Sequence, residues 1–295
     1  MSNAIGLHLR LDTSFSAAVE KALRVQQPIL QCFFMQQKLK TPLRLSPHEI
    51  KTFVREYRSL FSQFFLHGSY LINLSGVQPR HPVLMRELTL AKRLFFTHMI
   101  LHPGSAKGWG TKEAGIDQLA RALNGLLAQE CDITFVLENI AQAGMTIGGD
   151  LYDFKNLLEK IDRPEKLAFC IDTAHAHSYG YDLVTPAGQD SFARIVSQTI
   201  GWDKVALVHL NDTQQACASH KDQHCALGQG IVGSLALRTF VGRAELRKKP
   251  FILELPDLPE EQELALLSLV REWRREADHA YTSCYTFSSM AQEIR

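Results

Sequence analysis

The sequence predicts an α/β protein built as a single (β/α)8 TIM barrel, with its active site at the C-terminal ends of the strands. Three observations lead there. Eight short apolar runs of strand length alternate with longer amphipathic segments, the pattern of repeated βα units around a parallel sheet. No low-complexity linker or break in composition divides the 295 residues, a length that one barrel domain commonly reaches. Each apolar run stops at a polar residue, in most cases His, Asp or Glu.

In chain order the predicted strands are Ala4 to His8, Ile29 to Phe34, Phe64 to His67, Phe95 to His102, Ile133 to Asn139, Leu167 to Asp172, Lys204 to Asn211 and Pro250 to Leu255. Ser46-Pro47-His48-Glu49 places an N-cap, a proline at the first helical position and a capping-box glutamate ahead of Ile50, Phe53 and Val54. Amphipathic segments follow at Val83 to Leu94, Gly115 to Gln129, Asp150 to Lys160, Asp190 to Thr199 and Leu235 to Arg247. Pro259 to Arg275 reads as the last helix, so one domain over 1–295 has a core of about 4–275 and a C-terminal tail over 280–295. An open doubly wound sheet is the competing fold; no G-x-G-x-x-G follows the first strand to support it.

With 45% hydrophobic and 21% charged residues the chain has the material for a sizeable core, which excludes a disordered protein. A formal net charge of +1 provides little global field for a polyanion, so nucleic-acid binding must rest on a local basic surface or a metal cluster. The cysteines (Cys32, Cys131, Cys170, Cys217, Cys225, Cys284) show no paired spacing, and Cys32 and Cys170 sit inside apolar runs, which suits a reducing compartment. Without a signal-peptide pattern or a stretch of 18 apolar residues, a cytoplasmic protein with no membrane contact is expected.

The strand ends carry the chemistry. They present His8, Gln31, His67, His102, Glu138, Asp172 with His175, His209 with Asn211 and Asp212, and Glu254. Parallel barrel strands converge on one face, so these side chains meet. A single histidine at a strand end is most often structural. Burying His8, His67, His102 and His209 with Glu138, Asp172 and Glu254 in one crater would cost several kcal/mol for each unpaired charge, which divalent cations offset directly. Mixed imidazole and carboxylate donors favour Zn²⁺ or Mn²⁺ over Mg²⁺, and the absence of cysteine at the strand tips argues against a structural thiolate site. Asp222-x-His224 is weak as a motif alone; with His175 it makes a three-ligand set with an open position. Two or three such metals would clamp both oxygens of a phosphoryl transfer, which points to phosphodiester chemistry.

The motifs Ile5-Gly-x-His8, His67-x-x-Tyr70-Leu-Ile-Asn-Leu74, His102-Pro-Gly-Ser105, Leu137-Glu138-Asn139, Cys170-Ile-Asp172-Thr-x-His175, His209-Leu-Asn-Asp212 and Asp222-x-His224-x-x-Leu-Gly-x-Gly-x-x-Gly233 occur in this order. On them the chain resembles the endonuclease IV family, zinc-dependent apurinic/apyrimidinic endonucleases of the sugar-isomerase-like barrel superfamily, from Ile5 to about Pro256. The resemblance implies three Zn²⁺ per chain, with Mn²⁺ an option in one or more sites. His67, His102 and Glu138 would hold one; Glu138 would bridge to a second on Asp172, His209 and Glu254; His175, Asp222 and His224 would hold the third. It implies catalytic roles for Glu138, as the bridge that orients the nucleophile, and for Glu254, with His8, Asn139, Asn211 and Asp212 supporting the ligands from behind. The implied substrate is double-stranded DNA with abasic or 3′-blocked lesions, cut 5′ to the abasic site to leave a 3′-hydroxyl, by a monomer. An abasic nucleotide is cheap to flip out because it has lost its pairing and stacking.

Tyr70 matches a tyrosine that the family inserts into the duplex. Where the family usually shows an Asn-x-Arg-x-Trp-like segment, this chain has Met35-Gln-Gln-Lys38-Leu-Lys40, and Lys38 lacks the planar fork of the expected arginine. Gln214 and Gln223 stand where a lysine and an arginine are usual, so weaker, more salt-sensitive duplex binding or a shifted substrate preference is expected. Two other readings compete. A metal-dependent sugar isomerase or epimerase on the same barrel leaves His67, His102 and the Asp222/His224 pair without a role, and three metals per chain would exclude most of it. A non-catalytic metal-containing DNA-binding relative would bind DNA in the presence of a chelator and show no cleavage. His98 and His177 read as ordinary polar residues, and Trp109 and Trp202 as loop anchors.

Overall fold

The computed structural model describes residues 4–36, 41–77, 81–129 and 132–293. Eight strands form a closed parallel barrel: β1 (Ile5–Leu9), β2 (Ile29–Phe33), β3 (Gln63–His67), β4 (His98–Leu101), β5 (Thr134–Glu138), β6 (Leu167–Asp172), β7 (Val205–His209) and β8 (Phe251–Leu253). β1 closes the ring on β8, with Ile5 opposite Phe251. The helices between them are α1 (Phe15–Arg24), α2 (Pro47–Thr52), α3 (His81–Arg93), α4 (Lys112–Leu127), α5 (Leu151–Leu158), α6 (Thr173–Tyr179), α7 (Pro186–Thr199) and α8 (Gly233–Val241), and α9 (Glu260–Glu293) follows β8.

Strand side chains alternate between two faces, and here both faces are buried. Outward residues such as Leu7, Phe64, Leu66, Leu137 and Phe169 join the core beneath the helices. Inward residues Ile29, Phe65, Ile100, Val136, Cys170, Leu207 and Ile252 form a separate buried plug, the floor of the barrel interior. Two residues further along the same face stand Gln31, His67, His102, Glu138, Asp172, His209 and Glu254. Period-two alternation therefore puts a polar crown directly above an apolar floor. Gly6 occupies the matching floor position on β1, where a Cβ would come within 2.9 Å of Ile29 Cγ1 and 3.2 Å of Ile29 O.

The capping box at Ser46 forms as predicted, with Glu49 N donating to Ser46 Oγ and Ser46 N donating to Glu49 Oε2. Several expectations change. β4 starts at His98, because Phe95, with φ of +56° and an exposed ring, ends the turn after α3. α1 adds a helix between β1 and β2, where Ser14 caps it and Phe15, Ala18, Val19 and Ala22 bury at helical spacing. α6 follows β6 without a loop, so His175 lies on the first turn of a helix whose N-cap is Asp172. Residues 280–293 are no separate tail; they continue α9. α4 and α7 begin earlier than expected, at caps Thr111 and Thr185. The 235–247 segment breaks at Gly242 into α8 and a short 3-10 turn, Ala244–Leu246. Cys32, Cys170, Cys217 and Cys225 are free thiols; the side chains of Cys131 and Cys284 lie outside the described residues. No helix among the described residues is long and apolar enough to cross a membrane.

Candidate metal centre

Glu138, fully buried at the tip of β5, is the hub. Its Oε2 lies 3.1 Å from His67 Nε2 and 3.2 Å from His102 Nε2, while its Oε1 lies 2.8 Å from His209 Nδ1. His209 Nδ1 also sits 3.6 Å from Glu254 Oε2 and 3.9 Å from Asp172 Oδ2. Four residues on four strand ends, Glu138, Asp172, His209 and Glu254, thus bring one ligand atom each to within 4.8 Å of one another.

Asp172 and the neighbouring α6 tie this group to a second one. Asp172 Oδ1 caps α6 by accepting from His175 N at 2.8 Å, and Oδ2 faces His224 Nε2 at 3.6 Å. His175 Nε2 and His224 Nε2 stand 3.3 and 3.4 Å from the same atom, Asp222 Oδ1. His224 Nε2 is buried and has no hydrogen-bond partner. Donor atoms about 2.0–2.2 Å from one zinc at tetrahedral angles stand about 3.3–3.6 Å apart, so these separations suit a shared ion better than a set of direct hydrogen bonds. The residues present fit a metal.

Neutral groups hold the donors in place. Gln31 Nε2 donates to Glu254 Oε1 at 3.0 Å and lies 2.8 Å from His8 Nδ1, with its Oε1 3.0 Å from His209 Nε2. His8 Nδ1 is itself 3.0 Å from Glu254 Oε1. Asn139 brackets the Asp172 backbone, accepting from its N at 2.7 Å and donating to its O at 3.1 Å. Asn211 Nδ2 donates to Asp172 Oδ2 at 2.6 Å, and Asn211 Oδ1 accepts from Glu254 N at 2.8 Å. Asp212 faces the glycine-rich loop. Its carboxylate accepts from Gly228 N at 2.9 Å, Gly230 N at 3.0 Å and Gly233 N at 3.3 Å. A Cβ on Gly230 would stand 2.2 Å from Asp212 Oδ1, so the glycine-rich motif exists to wrap this buried carboxylate. The wrapped loop backs a two-strand hairpin, Asp212–Thr213 against His224–Cys225, which delivers His224 to the crater.

The electrostatics follow from this crowding. Burial alone would push the carboxyl of Glu138 up, but the charges of His209 and His102 hold it well below the usual carboxylate range. Glu254 behaves alike under His209 and His8. Burial likewise opposes the charged form of His175, yet Asp172 and Asp222 lift it well above the ordinary histidine value. Against its own burial, Asp222 is held at about 2 by His175 and His224. Two fully buried carboxylates, Glu138 and Asp172, beside the partly buried Glu254 demand positive charge, supplied by protons or by cations.

Of the residues singled out in the sequence, His67, His102, Glu138, Asp172, His175, His209, Asp222, His224 and Glu254 all converge here. Tyr70 leans over the crater, its ring 5.4 Å from that of His102 and 5.9 Å from that of His67, and is 64% exposed. Lys38 lies outside the described residues. Gln214 and Gln223 are exposed on the hairpin, where Gln223 Nε2 donates to Gln214 Oε1 at 3.4 Å. His98 belongs to the opposite end of the barrel, stacked on Phe65. His177 sits on α6 outside the cluster. Trp109 Nε1 donates to Ser75 O at 2.9 Å and Trp202 Nε1 to Ala193 O at 3.2 Å, so both pin loops. No motif gives Gln31 its part, for which a polar residue inside an apolar run is the signal; Asp212, expected behind the ligands, holds the glycine-rich loop.

A closed parallel barrel with a histidine and carboxylate crown places the chain in the xylose isomerase-like TIM barrel family, whose profile matches residues 29–277. Within it, the chain belongs to the endonuclease IV family. It is 30% identical over 260 residues to a probable endonuclease 4 of Thermosipho melanesiensis, covering 85% of this chain and 92% of the relative. It is 32% identical over 265 residues to a probable endonuclease 4 of Halorhodospira halophila, covering 87% and 89%. The crystal structure of endonuclease IV from Thermus thermophilus superposes with a TM-score of 0.78 at 28% identity, over 92% of this chain and 99% of that one.

Proposed function

We propose that the protein is a zinc-dependent DNA repair endonuclease that hydrolyses the phosphodiester 5′ to an abasic site, leaving a 3′-hydroxyl, and that also removes 3′-blocking groups. The observation that carries this reading is the nine-residue donor set, in which Glu138 serves one group with His67 and His102 and a second with Asp172, His209 and Glu254. The relatives named endonuclease 4 support DNA as the substrate.

In this reading three Zn²⁺ are held by His67, His102 and Glu138, by Glu138, Asp172, His209 and Glu254, and by His175, Asp222 and His224; Mn²⁺ is the alternative in any of them. When bound, such ions polarise phosphoryl oxygens and make water a nucleophile at neutral pH. The protein's own share is orientation. Glu138, fixed between imidazoles on both oxygens, directs the nucleophile; Gln31, Asn139 and Asn211 hold the donors at set angles; the exposed ring of Tyr70 contacts the duplex beside the lesion.

The test is incubation of the purified chain with a labelled duplex carrying one abasic analogue, with and without chelator, with analysis of the product ends and of metal content. A single cut 5′ to the lesion, a 3′-hydroxyl terminus and loss of cleavage with chelator are expected. DNA left intact without chelator, and bound equally with and without it, would overturn the proposal.

A further inference from the structure

Arg10 stands where the crater opens. It lines a cavity of 250 Å³ whose walls also carry Asp222, His224, Glu254 and Tyr70, so this cavity is the mouth of the candidate metal centre. Among the described side chains lining it, Arg10 carries the one permanent positive charge. The same guanidinium lines a neighbouring cavity of 220 Å³, which shares His8, Leu255 and Pro256 with the first. Arg10 is therefore the partition between the crater and a side chamber.

Its commitments are slight. Arg10 donates to Leu255 O at 3.5 Å and pairs with Asp257 Oδ1 at 3.4 Å, and the Asp257 side chain is 84% exposed. Exposed pairs of this kind contribute little. The other cations of the side chamber are engaged more closely, Lys21 with Glu263 at 2.6 Å and Arg24 with both oxygens of Glu260 at 3.0 and 3.3 Å. A guanidinium weakly held by an exchangeable carboxylate, above an otherwise acidic rim, suits an anionic group with two oxygens side by side, such as the non-bridging pair of a phosphodiester, which it meets in a fork.

We propose that Arg10 is a phosphate anchor of the crater: on substrate binding its guanidinium leaves Asp257 and takes a backbone phosphate of the nucleic-acid strand next to the reacting bond. This rests on the function proposed above. Asp257 then acts as a competitor for the same fork, and the two residues have opposite effects on affinity.

The experiment measures binding of the labelled abasic-analogue duplex by fluorescence anisotropy across salt concentrations in the Glu138→Gln background, alongside steady-state cleavage by the otherwise wild-type chain. Arg10→Ala should reduce the steepness of log K against log salt by about 0.9, the share of one phosphate contact. It should raise KM by about tenfold with kcat nearly unchanged, as loss of one charge-assisted hydrogen bond does. Arg10→Lys should keep the slope, and Asp257→Asn should tighten binding in wild type but not beside Arg10→Ala. Arg10→Gln repeats the measurement if the alanine variant melts early. An unchanged salt slope in a chain that still cleaves overturns the anchor alone, as does tightening by Asp257→Asn that persists without Arg10. A wild-type chain that neither binds nor cleaves the duplex overturns the functional reading, and the anchor with it.

Discussion

The floor and the crown of the barrel are built by the same eight strands, one pleat apart, and have opposite chemistry. Ile100, Val136, Cys170, Leu207 and Ile252 pack into a dry plug, while His102, Glu138, Asp172, His209 and Glu254 stand two residues further on in the same columns. The floor is satisfied by packing. The crown is satisfied by ion pairs between imidazoles and carboxylates, such as His209 with Glu138 at 2.8 Å, and by hydrogen bonds from Gln31 and Asn211. The contrast teaches that rigidity and reactivity need not come from different elements: the plug fixes the strand ends to within a pleat, and the ends use that precision for donor geometry.

Substitutions in each layer should therefore fail in different ways. Glu138→Gln replaces the hub carboxylate by a neutral amide of the same shape, and should lower cleavage of the abasic duplex by at least about 100-fold, since even losing a residue that merely supports a metal ligand costs about 10–100-fold. Its melting temperature in chelator should fall, because three imidazoles lose their buried partner, while the chain still folds; a variant that cleaves normally would remove the hub role. Leu207→Ala, one pleat below His209, should do the reverse. It opens a cavity under a side chain that is fully buried and should cost roughly 2–5 kcal/mol in denaturant unfolding, with the metal content of the folded fraction unchanged. Metal loss in proportion to stability loss would show that the layers are not separable.

The acid–base state of the crown gives a third test. His175 is lifted above the ordinary histidine value in the folded chain, and His209 is lifted too, by neighbouring acidic groups against their burial. A raised histidine stabilises the fold fully below the unfolded value of about 6.5 and ceases to do so as pH climbs through its folded value. Metal, in turn, binds only the deprotonated donors. The gain in melting temperature on adding Zn²⁺ to chelator-treated protein should therefore grow from pH 6 to pH 9, read by thermal unfolding. A gain that shrinks over that range would contradict the paired crown.

The smallest effect is expected at Glu87 on α3, behind the crown. Burial pushes its carboxyl up to about 7, although it accepts from Ser69 N at 3.1 Å. Because the folded state holds that proton more tightly than the unfolded one, stability contributed here falls as pH rises from about 4.5 to about 7. Glu87→Gln should be more stable than wild type above pH 7, by on the order of 1 kcal/mol, and should lose that advantage near pH 4.5. Denaturant midpoints at the two pH values measure it.

Much of this was legible in the chain. An apolar run that ends in His, Asp or Glu marks a barrel strand and its tip at once, and this holds from His67 to Glu254 because both properties follow from the alternation of side chains along a strand. What escaped were elements whose signal is not periodic. Nearly every side chain of α6 from Thr173 to Ser178 is buried, so no amphipathic stripe announces it. Its start is a capping bond from His175 N to Asp172, a residue that reads first as a strand end. α1 carries a stripe of Phe15, Ala18, Val19 and Ala22, but over only ten residues, a short run in which to read helical periodicity.

The sequence by itself determined the barrel, the identity of the donors and the order in which the strands present them, because strand period and residue type are local properties. The family resemblance also implied the grouping, with Glu138 as the bridge and His175 beside Asp222 and His224; only the tertiary structure decided the geometry in which they meet. That Glu138 takes imidazoles on both oxygens, that one atom, Asp222 Oδ1, faces both His175 and His224, and that the glycine-rich motif wraps Asp212, all depend on the distances across a closed ring. Those distances are set by strand register and barrel closure, which couple residues up to the full circumference apart and leave no mark in any one segment.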